Sequence, residues 1–174
     1  YNPNKAKNLI SKSNFDTNKE IILSTTSSYL DLCEYIQNSL QEIGLNVQLE
    51  VNPPSTHRQL VATSRLSFFR GSWIADYPDA ENYLSLFYSK NFSPSGPNYT
   101  HFSNEYFDML YENSLSETSL TARHALYNEM DQILIDNAAI VPLYYDRVLR
   151  FSRINVKDFE GNPMNLLNLK RVKK

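Results

Sequence analysis

Residues 20–51 read EIILSTTSSYLDLCEYIQNSLQEIGLNVQLEV, and the period of their apolar residues decides the fold class. Glu20 to Thr25 is a short apolar run bounded by polar residues, the mark of a buried strand. From Tyr29 to Ile43 the apolar positions Leu32, Cys33, Ile36, Leu40 and Ile43 recur at helical spacing. Gly44 follows, where a helix end favours positive φ. Leu45, Val47, Leu49 and Val51 then alternate with polar residues, as in a strand with one covered face. Before this stretch, Asn2-Pro3 caps and opens a helix that carries Ala6, Leu9 and Ile10 and stops near Ser13-Asn14. After it, Pro53-Pro54 ends the strand, Ser55 to Ser64 predicts a helix, and Leu66 to Gly71 predicts a third short strand. The order α-β-α-β-α-β with short connections predicts an α/β fold: a three-layer, open, mostly parallel sheet flanked by helices, with right-handed crossovers.

Residues 72–98 break this rhythm with a Trp, clustered acids and three prolines, leaving room for one short helix at Ala80–Tyr88. An irregular stretch of this length in a compact domain is usually functional or disordered, and its aromatic content argues for order. Helices return at Asn104–Ser114 and Leu120–Ile135. Ile140–Tyr145 predicts a strand, with Pro142 placing it at an edge or a strand start. Beyond Arg153 the pattern reads as an irregular tail, with one further strand expected at Leu166–Val172.

The composition of the 174 residues, 41% hydrophobic and 21% charged, is that of a globular protein. No apolar run approaches the ~18 residues of a membrane span, and no charged-then-apolar leader is visible. Four scattered glycines leave no phosphate-cradling loop. One cysteine, Cys33, excludes an internal disulfide and a cysteine zinc cluster, and its place on a helical stripe makes it a small core residue. The net charge of -2 hides an asymmetry. The first 146 residues hold nine Lys/Arg against seventeen Asp/Glu, and the remainder hold eight against two. The acidic body argues against a nucleic-acid partner.

Enzymatic signatures are thin. His57, His101 and His124 have no ligand spacing, and HExxH, GxSxG and GxGxxG are all missing, so no metal, cofactor or catalytic residue is expected. Asp76, Asp79 and Glu81 lie within six residues. Carboxylate hydrolysis would need two of them facing each other across a cleft. The informative run is Arg70-Gly-Ser72-Trp73-Ile74-Ala-Asp76-Tyr-Pro-Asp79, which starts at the C-terminal end of the third strand. In open parallel sheets that edge receives ligands. An indole can stack there, a carboxylate can take an ammonium group, and an arginine fork can take a carboxylate. Such residues suit a ligand bearing both charges, a peptide or an amino acid. The same residues also fit a purely structural account, in which Trp73 is core, Asp76 caps the helix near Ala80 and Arg70 is a surface charge.

Trp73-Ile-Ala-Asp76-Tyr-Pro-Asp79, with Asn82-Tyr-Leu84 and Phe87 behind it, resembles the signature of the extracytoplasmic oligopeptide- and dipeptide-binding proteins of ABC importers, solute-binding family 5. Tyr1 to Ile10, Ile36 to Val51, the run from Tyr99 through Phe102-Ser-Asn104 to Phe107-Asp108, and Ala139 to Tyr145 resemble further segments of that family in the same order. The resemblance implies one lobe of a two-lobe periplasmic-binding-protein type II fold. Residues 1–152 would form the C-terminal α/β lobe, and 153–174 a tail that crosses to an N-terminal lobe lying outside this chain. It implies a peptide ligand held between lobes, a membrane permease as partner, no catalysis, and a periplasmic or extracytoplasmic location, with the parent chain either lipid-anchored through the missing N-terminus or free. It also implies roles: Asp76 for the peptide α-amino group, Trp73 beside it, the main chain of Ser72 and Ile74 for the peptide backbone, Arg70 for the ligand carboxylate, and Tyr29 facing the ligand. Relatives of the same fold bind nickel or sugars, and these remain alternatives, as does a carboxylate-based hydrolase.

Overall fold

A computed structural model describes residues 1–161 and 166–174. The elements follow in the order α1 (Pro3–Lys12), β1 (Ile21–Thr25), α2 (Leu30–Gln41), β2 (Val47–Val51), α3 (Pro54–Ala62), α4 (Glu81–Leu84), α5 (Glu105–Ser116) and α6 (Leu120–Asp136). Three single 3-10 turns lie at Ser27–Tyr29, Ser85–Phe87 and Ser89–Asn91. The chain divides into two compact units. The first is Tyr1–Ser72 with Lys90–His101, and the second is Trp73–Ser89 with Phe102–Lys174.

The first unit is the α/β part. β1 and β2 pair in parallel, with Ile21 opposite Val47 and Thr25 opposite Val51. Leu23, Cys33 and Val47 form its buried centre, and Ile36, Leu40, Leu45, Leu49 and Phe68 pack around them. Cys33 is fully buried, as its place on the helical stripe predicts, and its Sγ donates to Thr25 Oγ1 at 3.2 Å. Gly44 adopts φ +97°, so the α2–β2 turn needs the residue that tolerates left-handed backbone. The third strand is shorter than expected. Ser24 N donates to Phe68 O at 3.0 Å and Arg70 N donates to Ser24 O at 2.9 Å, and these two bonds make one parallel bridge, Ser24 to Phe69. That bridge still places the segment beside β1 and pointing the same way. The apolar stripe of α1 is only partly covered: Ala6 and Ile10 are half-buried and Leu9 is exposed.

The second unit is helical. α5 and α6 bury Phe107, Leu110, Tyr111, Tyr127, Met130 and Leu134 together with Leu84 and Phe87. Asn104 Oδ1 caps α5 by accepting from Phe107 N at 2.9 Å, and Ser119 Oγ caps α6 by accepting from Ala122 N at 3.4 Å. The helix expected at Ala80–Tyr88 is realised as α4 continued by a 3-10 turn.

The strand expected at Ile140–Tyr145 does not form among the described residues, nor does Val148–Phe151 extend it. The physical reason is the lack of a neighbour: a strand exists only by pairing, and no described strand lies alongside to receive its main-chain bonds. Its apolar residues stay in solvent, with Val141 69% and Tyr145 90% exposed. The strand expected at Leu166–Val172 is likewise replaced by a turn and a single antiparallel bridge, Lys157 to Lys173. Asn162 and Asn165, read as part of an irregular tail, lie outside the described residues.

Candidate functional site

Parallel pairing explains why two of the expected site residues meet. β1 ends at Thr25 and turns into the Ser27–Tyr29 loop, and its neighbour ends at Arg70. Both chains therefore leave the sheet at the same edge, the C-terminal edge at which open parallel sheets bind ligands. There the Arg70 guanidinium carbon lies 3.2 Å from the centre of the Tyr29 ring. Stacking of this kind contributes roughly 0.5–1 kcal/mol at exposed sites and fixes the arginine's direction. Arg70 also donates to Ser72 Oγ at 3.4 Å. Its carbonyl is 3.0 Å from His57 Nε2 on α3, a buried ring whose Nδ1 has no partner among the described residues. Because the carbonyl can only accept, Nε2 carries the proton and donates. His57 is thus a support for the Arg70 main chain, a role that three isolated histidines in the sequence do not reveal.

The second group lies on the other unit. Trp73 is half-buried, Ile74 is 85% exposed, and Asp76 is exposed. Asp76 does not cap the following helix. That task falls to Asp79, whose Oδ1 accepts from Glu81 N at 2.9 Å. Among the described residues the Asp76 carboxylate has no hydrogen-bond or ion-pair partner, and the main-chain groups of Ser72 and Ile74 have none either. Asn82, only 3% exposed, holds the segment: its Oδ1 accepts from Trp73 Nε1 at 2.7 Å and from Asp76 N at 3.2 Å. Sequence reading missed Asn82 as a functional residue, because spacings of six and nine residues follow no local rule.

The neighbouring acids are occupied. Asp79 accepts from Tyr127 at 2.9 Å and pairs with Arg123 at 3.1 Å. Burial alone would raise its pKa, but the Glu81 amide, the Tyr127 hydroxyl and Arg123 together hold it below the ordinary value. Burial, and then Asp79 itself, push Tyr127 up to about 12. Glu81 accepts from both Tyr77 and Tyr111. The Tyr77 pKa is raised, first by Glu81, with the Asn82 amide acting in the opposite direction. Asp76 therefore stands as the one acid of the three without such partners among the described residues. Also among those residues, no three His, Cys, Asp or Glu side chains come together to hold a metal.

Expected site residues thus fall on both units: Tyr29, Arg70 and Ser72 on the first, Trp73, Ile74 and Asp76 on the second.

Comparison with known proteins follows the same lines. Residues 1–95 match the sequence profile described as "Bacterial extracellular solute-binding proteins, family 5 Middle". The dipeptide-binding protein DppE of Bacillus subtilis is 26% identical, the match covering 97% of this chain and 32% of that protein. Among solved structures, the unliganded open form of the periplasmic murein tripeptide binding protein MppA aligns over 94% of this chain and 31% of its own, at 24% identity and a TM-score of 0.78. The periplasmic binding protein DppA from Helicobacter pylori, in complex with peptide STSA, aligns over 82% of this chain and 28% of its own, at 25% identity and a TM-score of 0.75. The chain spans about a third of the length of the curated relatives it matches.

Proposed function

The chain belongs to family 5 of the bacterial extracellular solute-binding proteins, and from that premise we propose that it is one lobe of the peptide-capturing component of an ABC importer. Residues 1–152 make up the lobe, and 153–174 reach toward an N-terminal lobe of the parent chain. The ligand is a peptide held between the lobes, the other partner is a membrane permease, and capture takes place outside the cytoplasm, with the parent chain lipid-anchored or free. The lobe binds and does not catalyse.

The observation that carries this reading is the state of Asp76: an exposed carboxylate without an internal partner among the described residues, three residues from an indole, in the segment that follows the parallel bridge of Phe69 to β1. Such a group is free to receive an α-ammonium, and closure of a second lobe over it would strengthen the pair by excluding water. The open main-chain groups of Ser72 and Ile74 supply sites for an extended peptide backbone, a strand-addition mode that ignores side-chain identity. Arg70, aimed by Tyr29, would meet the far carboxylate. The hydrolase reading has weaker support, because Asp79 and Glu81 are engaged with Arg123, Tyr127, Tyr77 and Tyr111, which leaves Asp76 no second unengaged acid nearby in sequence. Relatives named for dipeptides and tripeptides favour a peptide over nickel or sugar.

Titration calorimetry on the two-lobed protein tests the reading. Asp76→Ala should weaken free-amine peptides roughly tenfold to a hundredfold, the size of a lost charge-assisted bond, and N-acetylated peptides much less. Equal losses for both would overturn the role of Asp76. The 174-residue chain alone should bind peptides weakly, since it supplies half of the cleft. Tight binding by this chain would contradict the two-lobe mechanism.

A further inference from the structure

We propose that Asn82 is the positioning residue of this site: one buried side-chain oxygen that sets the indole of Trp73 and the main chain of Asp76 at the same time. The inference rests on the peptide-binding reading of Trp73 and Asp76 and adds how they are held.

The amide orientation is forced by chemistry. The indole Nε1–H and the Asp76 N–H can only donate, so the atom facing both must be the oxygen. An amide oxygen has two lone pairs, and here each has a partner. Asn82 is 3% exposed and sits on the first turn of α4, whose neighbours Leu84 and Phe87 belong to the buried core of the second unit. The oxygen is therefore anchored to the best-packed part of that unit, while the residues it holds are half-buried or exposed. Residues 71–76 belong to no helix or strand. Without Asn82, the Asp76 main-chain N–H and the half-buried indole N–H of Trp73 would both be left without an acceptor.

A consequence follows for the carboxylate. Short acidic side chains at the start of a helix tend to turn inward and bond nearby main-chain N–H groups. Here Asn82 already takes the Asp76 N–H, and Asp79 takes the Glu81 N–H. With those donors engaged, the Asp76 carboxylate stays turned out and open to an ammonium. Asn82 thus acts through Asp76 and Trp73 without itself touching the ligand, and its loss should fall on recognition of the free amine.

Trp73 is the single tryptophan of the chain, so one indole N–H resonance reports on it. In the 174-residue chain, Asn82→Leu, close in shape but without an acceptor, should move that resonance upfield and speed its exchange with solvent. Asn82→Asp, which keeps the oxygen in place, should restore both. In the two-lobed protein, Asn82→Leu should weaken free-amine peptides roughly tenfold, with a smaller effect on N-acetylated ones, and Asn82→Asp should keep the preference for the free amine. If Asn82→Leu fails to fold, Asn82→Gln takes its place, since one added methylene misplaces the oxygen and should disturb the same signal. An unchanged indole resonance and an unchanged amine preference in Asn82→Leu (or Asn82→Gln) would overturn the inference. The underlying reading fails separately: if Asp76→Ala leaves the amine preference intact, Asp76 is not the ammonium site, while the indole signal still judges the hold of Asn82 on Trp73.

Discussion

Asp76, Asp79 and Asn82 divide the polar work of a seven-residue stretch. Asn82 holds the main chain, Asp79 binds the first turn of α4 and ties it to α6 through Arg123 and Tyr127, and Asp76 keeps its carboxylate open. The Asp79 arrangement has a pH signature. Its folded pKa lies below the ordinary 3.8, so its stabilisation is present above that value and is lost as pH falls through the folded value. Tyr127 works in the opposite direction. Its folded pKa of about 12 lies above the ordinary 10.0, so its stabilisation is present below pH 10 and is lost as pH rises toward 12. Urea unfolding followed across pH should show both limbs. Asp79→Asn should flatten the acid limb and Tyr127→Phe the alkaline one; wild-type slopes in both variants would refute the pairing. Such contacts could be read only partly from the sequence. The clustering of Asp76, Asp79 and Glu81 marked the place, but a carboxylate's partner is set by which helix packs over it, and Arg123 and Tyr127 lie more than forty residues away. Tyr127 is buried on α6, although its polar end reads as solvent-facing until Asp79 is found against it.

Helices and strands with strong local signals were legible and the weakly signalled ones were not. The α2–Gly44–β2 unit carried period, cap and alternation together, and all three agree with the structure. Gly44→Ala should cost about 1 kcal/mol in unfolding free energy, purely from backbone strain at φ +97°, since an added Cβ would meet nothing within 4 Å. Asn104→Ala should cost a similar ~1 kcal/mol by leaving the Phe107 N–H uncapped. Chemical denaturation measures both, and an unchanged midpoint in either variant would remove the corresponding cap from the account. The third strand was expected from apolar content alone, and it shrank to one bridge because only Phe68 and Arg70 exchange bonds with Ser24. That single bridge still matters, since it brings Arg70 to the edge where Tyr29 waits.

Among the described residues, many of the exposed large apolar side chains lie after α6. Leu149 and Phe151 are 79% and 93% exposed, and the basic end of the chain beyond them carries the Lys157–Lys173 bridge and the Lys173–Asp158 ion pair at 3.1 Å. Hydrogen exchange gives the check. In the 174-residue chain, amides of residues 140–149 should exchange freely, apart from Arg147, whose N–H donates to Asp146. Those of Phe107, Met130 and Val47 should be protected. In the two-lobed protein the tail from residue 153 on should gain protection, and unchanged exchange there would argue against its reaching a second lobe. Period, capping residues and one run of aromatic and acidic residues were enough to establish the α/β order, the turn at Gly44 and the stretch that bears the candidate site, because each of these is a property of neighbours along the chain. The pairing of Arg70 with Tyr29, the occupation of Asp79 and Glu81, the hold of Asn82 on Trp73 and Asp76, and the failure of 140–145 to become a strand came only from the folded chain. Each depends on which distant group supplies a ring, a hydrogen bond or an edge, and distance in space is not written in local spacing.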